Sequence, residues 1–251
     1  MNRGIKWSLT FMSAILIIWS GYSTEFDFSK FLRLGKSVEF VWNKWLPIDW
    51  SIFPVALKSA IITLQIAILG TFIGMLIALP LSFLAAFNTA PSAYLYHLTR
   101  SILNFLRSVP EIVLGLILVP SLSLGPFPAV MAIAIHNIGV LGKLISELIE
   151  AADTGQQEAV TSVGASKLFV ILYGILPQII PNILSQYFYR LEVGVRASLI
   201  LGFIGGGGIG NMLFIDFKVF NYQAVACEVL VIMLLVLIVD YVGTLVRKKV
   251  I

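Results

Sequence analysis

The chain has 251 residues, of which 59% are hydrophobic and only 12% charged. Soluble globular domains run near half apolar and a quarter charged, so this composition excludes an ordinary water-soluble enzyme and belongs to a membrane protein. The formal net charge of +4 fits basic residues gathered on one face of a membrane; nucleic acid is not an expected partner.

Six hydrophobic stretches follow one another along the chain, each long enough to cross a bilayer at about 20 residues per span. The first covers 6–22; no small-residue cleavage site follows it, so it reads as a retained span, not a removed signal. Residues 25–49 mix basic residues (Lys30, Arg33, Lys36, Lys44) with Phe26, Phe28, Phe31, Phe40, Trp42, Trp45 and Trp50 just beyond, a pattern suited to a helix lying at the membrane surface. The second stretch, 55–87, is longer than a bilayer needs, so part of it is tilted or projects. The third runs over 98–119 and stops at Pro120, and the fourth covers 127–149. The connection 150–176 is too polar to cross and too long for a tight turn. Its Ala, Glu, Gln and Leu favour a helical hairpin or a pair of short helices. The fifth stretch, 179–204, opens after Pro177 and Pro181, and the sixth covers 224–246.

Basic residues orient the whole. Arg3, Lys6, Arg100, Arg107, Lys167, Arg247, Lys248 and Lys249 fall on one side if the number of spans is even, which puts both termini in the cytoplasm. Two regions are expected: 1–53, a first span with an outer amphipathic segment, and 54–251, a transmembrane core with 150–176 on its cytoplasmic face. Cys227 is the lone cysteine, His97 and His136 are not spaced as a metal pair, and no catalytic constellation stands out. A phosphate-gripping G-x-x-x-x-G-K-[ST] loop does not occur, so any ATP would be hydrolysed by another chain.

Within 150–176 stands Glu158-Ala159-Val160-Thr161-Ser162-Val163-Gly164, followed by Leu176-Pro177. This resembles the signature loop of permease subunits of bacterial ABC importers: E-A-A, three residues, Gly, then Leu-Pro about a dozen residues on, with Val160 replacing the second Ala. Small residues on a short helix suit a groove in a soluble partner, and Gly lets two backbones approach closely. The pieces RSVPEIVLG (107–115), LGPFPAVMAIAIHNIGVLGKLISELIE (124–150), GILPQIIP (174–181) and YRLEVGVRASLILGFIGGGGIG (189–210) are similar to permeases of the phosphonate, phosphite and hypophosphite type. Gly206 stands where such permeases usually have Ala. The resemblance implies an all-α membrane protein of about six transmembrane helices with the type I ABC importer (methionine-permease-like) fold, resident in a bacterial inner membrane. It implies a second permease copy as a homodimer, two cytoplasmic ATPase subunits holding ATP and Mg, and an extracytoplasmic substrate-binding protein. It also implies that Glu158, Ala159, Gly164, Leu176 and Pro177 couple the chain to the ATPase, and that no cofactor is carried here.

Several polar or flexible positions then become pathway candidates. Gly205, Gly206, Gly207 and Gly208 break the fifth stretch, either as a flexible gate or by close packing against the twin subunit. Glu192 and Arg196 are four apart on one helix face, so they either form an internal ion pair or leave Arg196 to attract an oxyanion. Asn137 either donates to a substrate oxygen or bridges two helices. Glu111, beside Pro110, suits a structural hydrogen bond better than anion carriage. Two rivals stay open: a permease for methionine or another small nutrient, and an ion-gradient carrier without an ATPase. Gradient carriers commonly show repeats with matched broken helices, and here only the glycine-rich segment is broken in that way.

Overall fold

The computed structural model describes residues 3–27 and 34–250. It divides into two compact units, Met1–Pro47 and Ile48–Ile251. In the first, α1 (Arg3–Ser23) is a helix of 21 residues, about 31 Å long at 1.5 Å per residue and so long enough to span. The surface segment expected at 25–49 contains α2 (Leu34–Trp45), with Phe40, Val41 and Trp42 exposed along it; Phe28, Lys30, Phe31 and Arg33 lie outside the described residues.

The second unit is a helical bundle. Asp49 opens it by accepting a hydrogen bond from the Ser51 amide at 2.9 Å, and the chain passes through Trp50–Ile52 into α3 (Phe53–Leu84). Then come α4 (Ala93–Ser108), α5 (Glu111–Leu122), α6 (Pro126–Glu150) and α7 (Thr154–Ser162). A short helix α8 (Lys167–Phe169) continues through a wide-turn stretch, Val170–Ile175, into α9 (Leu176–Leu201). A second wide-turn stretch, Gly202–Gly206, leads to α10 (Gly208–Lys218), and α11 (Tyr222–Val250) completes the unit. Among the described residues, four helical stretches are long and apolar enough to cross a membrane: Trp50–Leu84, Pro126–Glu150, Lys167–Gly206 and Tyr222–Lys249. Thirty ångströms of hydrocarbon leaves no alternative but helices for such segments, because every backbone amide must be satisfied within the segment.

The stretch expected as a single third span is a bent pair. α4 and α5 meet at 83° across Val109 and Pro110. Pro110 offers no N–H and pushes the residue before it out of the helical region, and Val109 takes φ −90° and ψ 114°. The fifth span likewise begins earlier than 179, since its helix is continuous from Lys167.

α3 and α6 form the most extensive contact of the bundle, with α9 and α4 packed on either side. Ala, Gly and Ser make this close approach possible: Ala67, Ala78, Ala129, Ala132 and Ser146 are all buried. Where α4 crosses α6, a β-carbon at Gly139 would lie 2.9 Å from the Leu103 carbonyl oxygen, so the two backbones touch there. Gly139→Val is expected to cost about 1–3 kcal/mol of stability by overpacking, read as a lower thermal midpoint of the detergent-solubilised protein. Gly35→Ala, with nothing within 4 Å of the new methyl, is expected to leave that midpoint unchanged or slightly higher.

Candidate functional site

Two places in the core unit gather the expected residues: the short helix at one end of the bundle and a polar cluster in its middle.

α7 begins at Asp153, whose carboxylate caps it by accepting from the Gly155 amide at 3.0 Å. Glu158 and Ala159 lie on its exposed side. The helix ends at Ser162, and Gly164 follows with φ +80°, the left-handed conformation that terminates helices and favours glycine. Val163 is 81% exposed, and Leu168, Phe169 and Tyr173 are exposed beyond it. Behind this surface α7 is tied down. Gln178, next to Pro177, accepts from the Asp153 amide at 2.9 Å, and Gln157 donates to the carbonyls of Ala152 and Asp153 at 3.2 Å. Gly174 lets α7 lie close, since a β-carbon there would sit 3.2 Å from the Gln157 Cα. The same end is closed by Arg100, which donates to Glu150 at 2.6 Å, while Asn88 donates to the Ile149 carbonyl at 2.9 Å.

In the middle of the bundle the break at Pro110 leaves carbonyls at the end of α4 without helical partners. His136 Nδ1 lies 3.0 Å from the Val109 oxygen; a carbonyl only accepts, so this nitrogen carries the hydrogen. Its Nε2 faces Glu111 at 3.5 Å. The expected structural role of Glu111 is thus an arrangement with its neighbour across the bend. Asn137, the next residue on α6, is fully buried and bridges two helices. Its Nδ2 donates to Thr71 of α3 at 3.3 Å, and its Oδ1 accepts from Arg190 Nε of α9 at 2.8 Å.

Arg190 escaped the sequence reading. The signal was available: on an apolar helix it has Gln186, Tyr187, Val193 and Gly194 three and four residues away, with no acid on its own face to close its charge.

The expected pair Glu192–Arg196 does not form. Arg196 instead binds Asp240 of α11 at 2.6 and 2.7 Å, and Glu192 pairs with Arg247. α9 and α11 present two rungs of opposite charge to each other. Interhelical rungs prevail because Glu192 is buried at 7% exposure and needs its counter-charge inside the seam, where Gly243 makes room for it. Arg196, half exposed, is accordingly committed to Asp240 and is not presented as a free cation.

The glycine break packs against other parts of the chain. Gly205, Gly207 and Gly208 all have positive φ. At Gly208 (φ +70°) a β-carbon would collide with Thr63, whose hydroxyl accepts from the Ile209 amide at 3.0 Å. The Gly205 carbonyl accepts from the Gly125 amide at 2.8 Å. Among the described residues no group of three or more His, Cys, Asp or Glu side chains is placed to hold a metal.

A bundle of apolar helices with a tethered, exposed short helix at one end defines a multi-pass membrane protein of the permease class. The chain belongs to the family of binding-protein-dependent transport system inner membrane components, which it matches over residues 70–251. It is 35% identical over 241 residues to the phosphite transport system permease protein PtxC of Stutzerimonas stutzeri, covering 96% of this chain and 87% of that protein. It is 33% identical over 249 residues to the putative phosphite transport system permease protein HtxC of the same organism, covering 98% and 86%. The permease in the inward-facing MetNI methionine ABC transporter has the same fold, with TM-score 0.71 at 20% identity, over 81% of this chain and 100% of that one. The chain is therefore a permease subunit of an ABC importer with the type I fold.

Arg247→Ala strands a buried carboxylate and is expected to cost about 3–5 kcal/mol, read as a lower thermal midpoint; adding Glu192→Gln to Arg247→Ala is expected to recover most of the loss.

Proposed function

We propose that this permease translocates a small phosphorus oxyanion (phosphonate, phosphite or hypophosphite) delivered by an extracytoplasmic binding protein and driven by two cytoplasmic ATPase subunits. Likeness to phosphite permeases along 96% of the chain carries the substrate half of this reading. Both termini and α7 lie on the cytoplasmic side, where Arg100, Lys167, Arg247, Lys248 and Lys249 fall in accord with the positive-inside rule. Nucleotide and Mg belong to the ATPase partners, and this chain holds no nucleotide site. A second permease, a twin of this chain, completes the pathway.

α7 is the coupling element. Glu158 and Ala159 are exposed, and Val163, Leu168 and Phe169, further along the chain, expose apolar side chains, a combination suited to a groove in a soluble partner. Gly164 ends the helix, and Leu176 and Pro177 open α9. Because Gln178 ties Asp153, the cap of α7, to the base of the 40-residue helical stretch Lys167–Gly206, displacement of α7 moves that stretch as a body. The glycine break Gly205–Gly208 at its far end is the gate.

ATP hydrolysis by the reconstituted complex with its binding protein tests the substrate. Phosphite, hypophosphite, methylphosphonate or 2-aminoethylphosphonate is expected to stimulate it; stimulation by methionine alone discards the substrate and keeps the importer. Glu158→Lys is expected to reduce stimulated hydrolysis and uptake by about tenfold or more, by placing like charge or a misfit at the ATPase contact. The isolated permease is expected to keep its thermal midpoint. Unchanged stimulation would remove Glu158 from the coupling surface.

A further inference from the structure

We propose that Arg190, held by Asn137, is the site inside the bundle where the transported oxyanion is met. This rests on the importer reading above and names the group that would contact its substrate.

The spans contain three other described arginine contacts that are closed by carboxylates: Arg100 with Glu150, Arg196 with Asp240 and Arg247 with Glu192. Arg190 is different. Its Nε donates to the neutral oxygen of Asn137 at 2.8 Å, while its terminal nitrogens donate to no described residue and no described carboxylate pairs with it directly. An arginine within an apolar span is expensive to keep unless something uses it. The unused edge of the guanidinium is the part that grips two oxygens of a tetrahedral anion at once, and the side chain is only partly exposed.

Arg190 is also preorganised. Asn137 cannot turn away, because its amide is bound to Thr71 at 3.3 Å and α3 passes so close that a β-carbon at Gly74 would lie 2.6 Å from the Asn137 Cβ. Orienting the guanidinium through Nε leaves its other edge fixed in direction. The chemistry selects a small anion with at least two free oxygens on one central atom.

The experiment uses the complete transporter in proteoliposomes, with labelled phosphite uptake, ATP hydrolysis and thermal midpoint read together. Arg190→Gln is expected to lower uptake by about tenfold or more with basal hydrolysis retained. Asn137→Asp keeps the shape and places a carboxylate against Arg190, cancelling its charge. It is expected to lower uptake as strongly, with a midpoint equal to or above that of the parent. Arg196→Gln, whose partner is Asp240, is expected to leave uptake within about twofold. Uptake by assembled Asn137→Asp within about twofold of the parent overturns the inference, whether or not Arg190→Gln assembles. A parent complex that takes up methionine and no phosphorus oxyanion overturns the substrate reading and the inference with it.

Discussion

Inside an apolar bundle no water is at hand to satisfy a polar group, so each one must be met by another part of the chain. That constraint decides how α3, α6, α9 and α11 fit together. Asn137 stands at the centre of α6 and is shared between Thr71 on α3 and Arg190 on α9. The Glu192–Arg247 and Arg196–Asp240 rungs do the corresponding work between α9 and α11. Hydrophobic contact alone, between helices as apolar as lipid tails, fixes neither rotation nor register; small residues bring the backbones together and polar bridges then choose one alignment.

The end of the bundle that carries α7 follows the same rule with a mechanical result. Glu150 receives Arg100 from α4 and the Phe87 amide from the end of α3, and Gln178 binds α7 to the base of α9. α3, α4, α6, α7 and α9 are thereby joined by hydrogen bonds where an external push would arrive. Such a joint transmits displacement, because none of its members can move far without breaking a polar contact.

The sequence made the membrane class, the apolar stretches and the α7 motif legible, since these rest on composition, length and local spacing. Pro110 was visible too, but not its 83° consequence: a proline within an apolar run is compatible with a modest kink as well as a break, and the choice depends on whether the freed Val109 carbonyl finds a partner in His136. The Glu192–Arg196 spacing predicted a pair that the tertiary structure overrides. Helical periodicity identifies which residues share a face, but what lies across from that face is set by α11, 44 residues further on for Arg196 and 55 for Glu192. Arg190 shows locally as a charge with no acid on its own face, but its partner is an amide 53 residues away on another helix, which the sequence does not point to.

The two helix breaks are also related through α5. This helix of 12 residues, about 18 Å long, starts at the bend, where Glu111 meets His136. Just past its other end, the Gly125 amide donates to the Gly205 carbonyl in the glycine break. Between the two, Gly115 lets α5 lie directly against Leu201 and Ile204. Held at both ends, this short helix joins the two breaks. Rearrangement of the glycine segment is therefore felt at the start of α5, where Glu111 faces His136. The two helix breaks are thus linked within one chain, which gives a physical reason for a break at Pro110 where a straight span would have cost less.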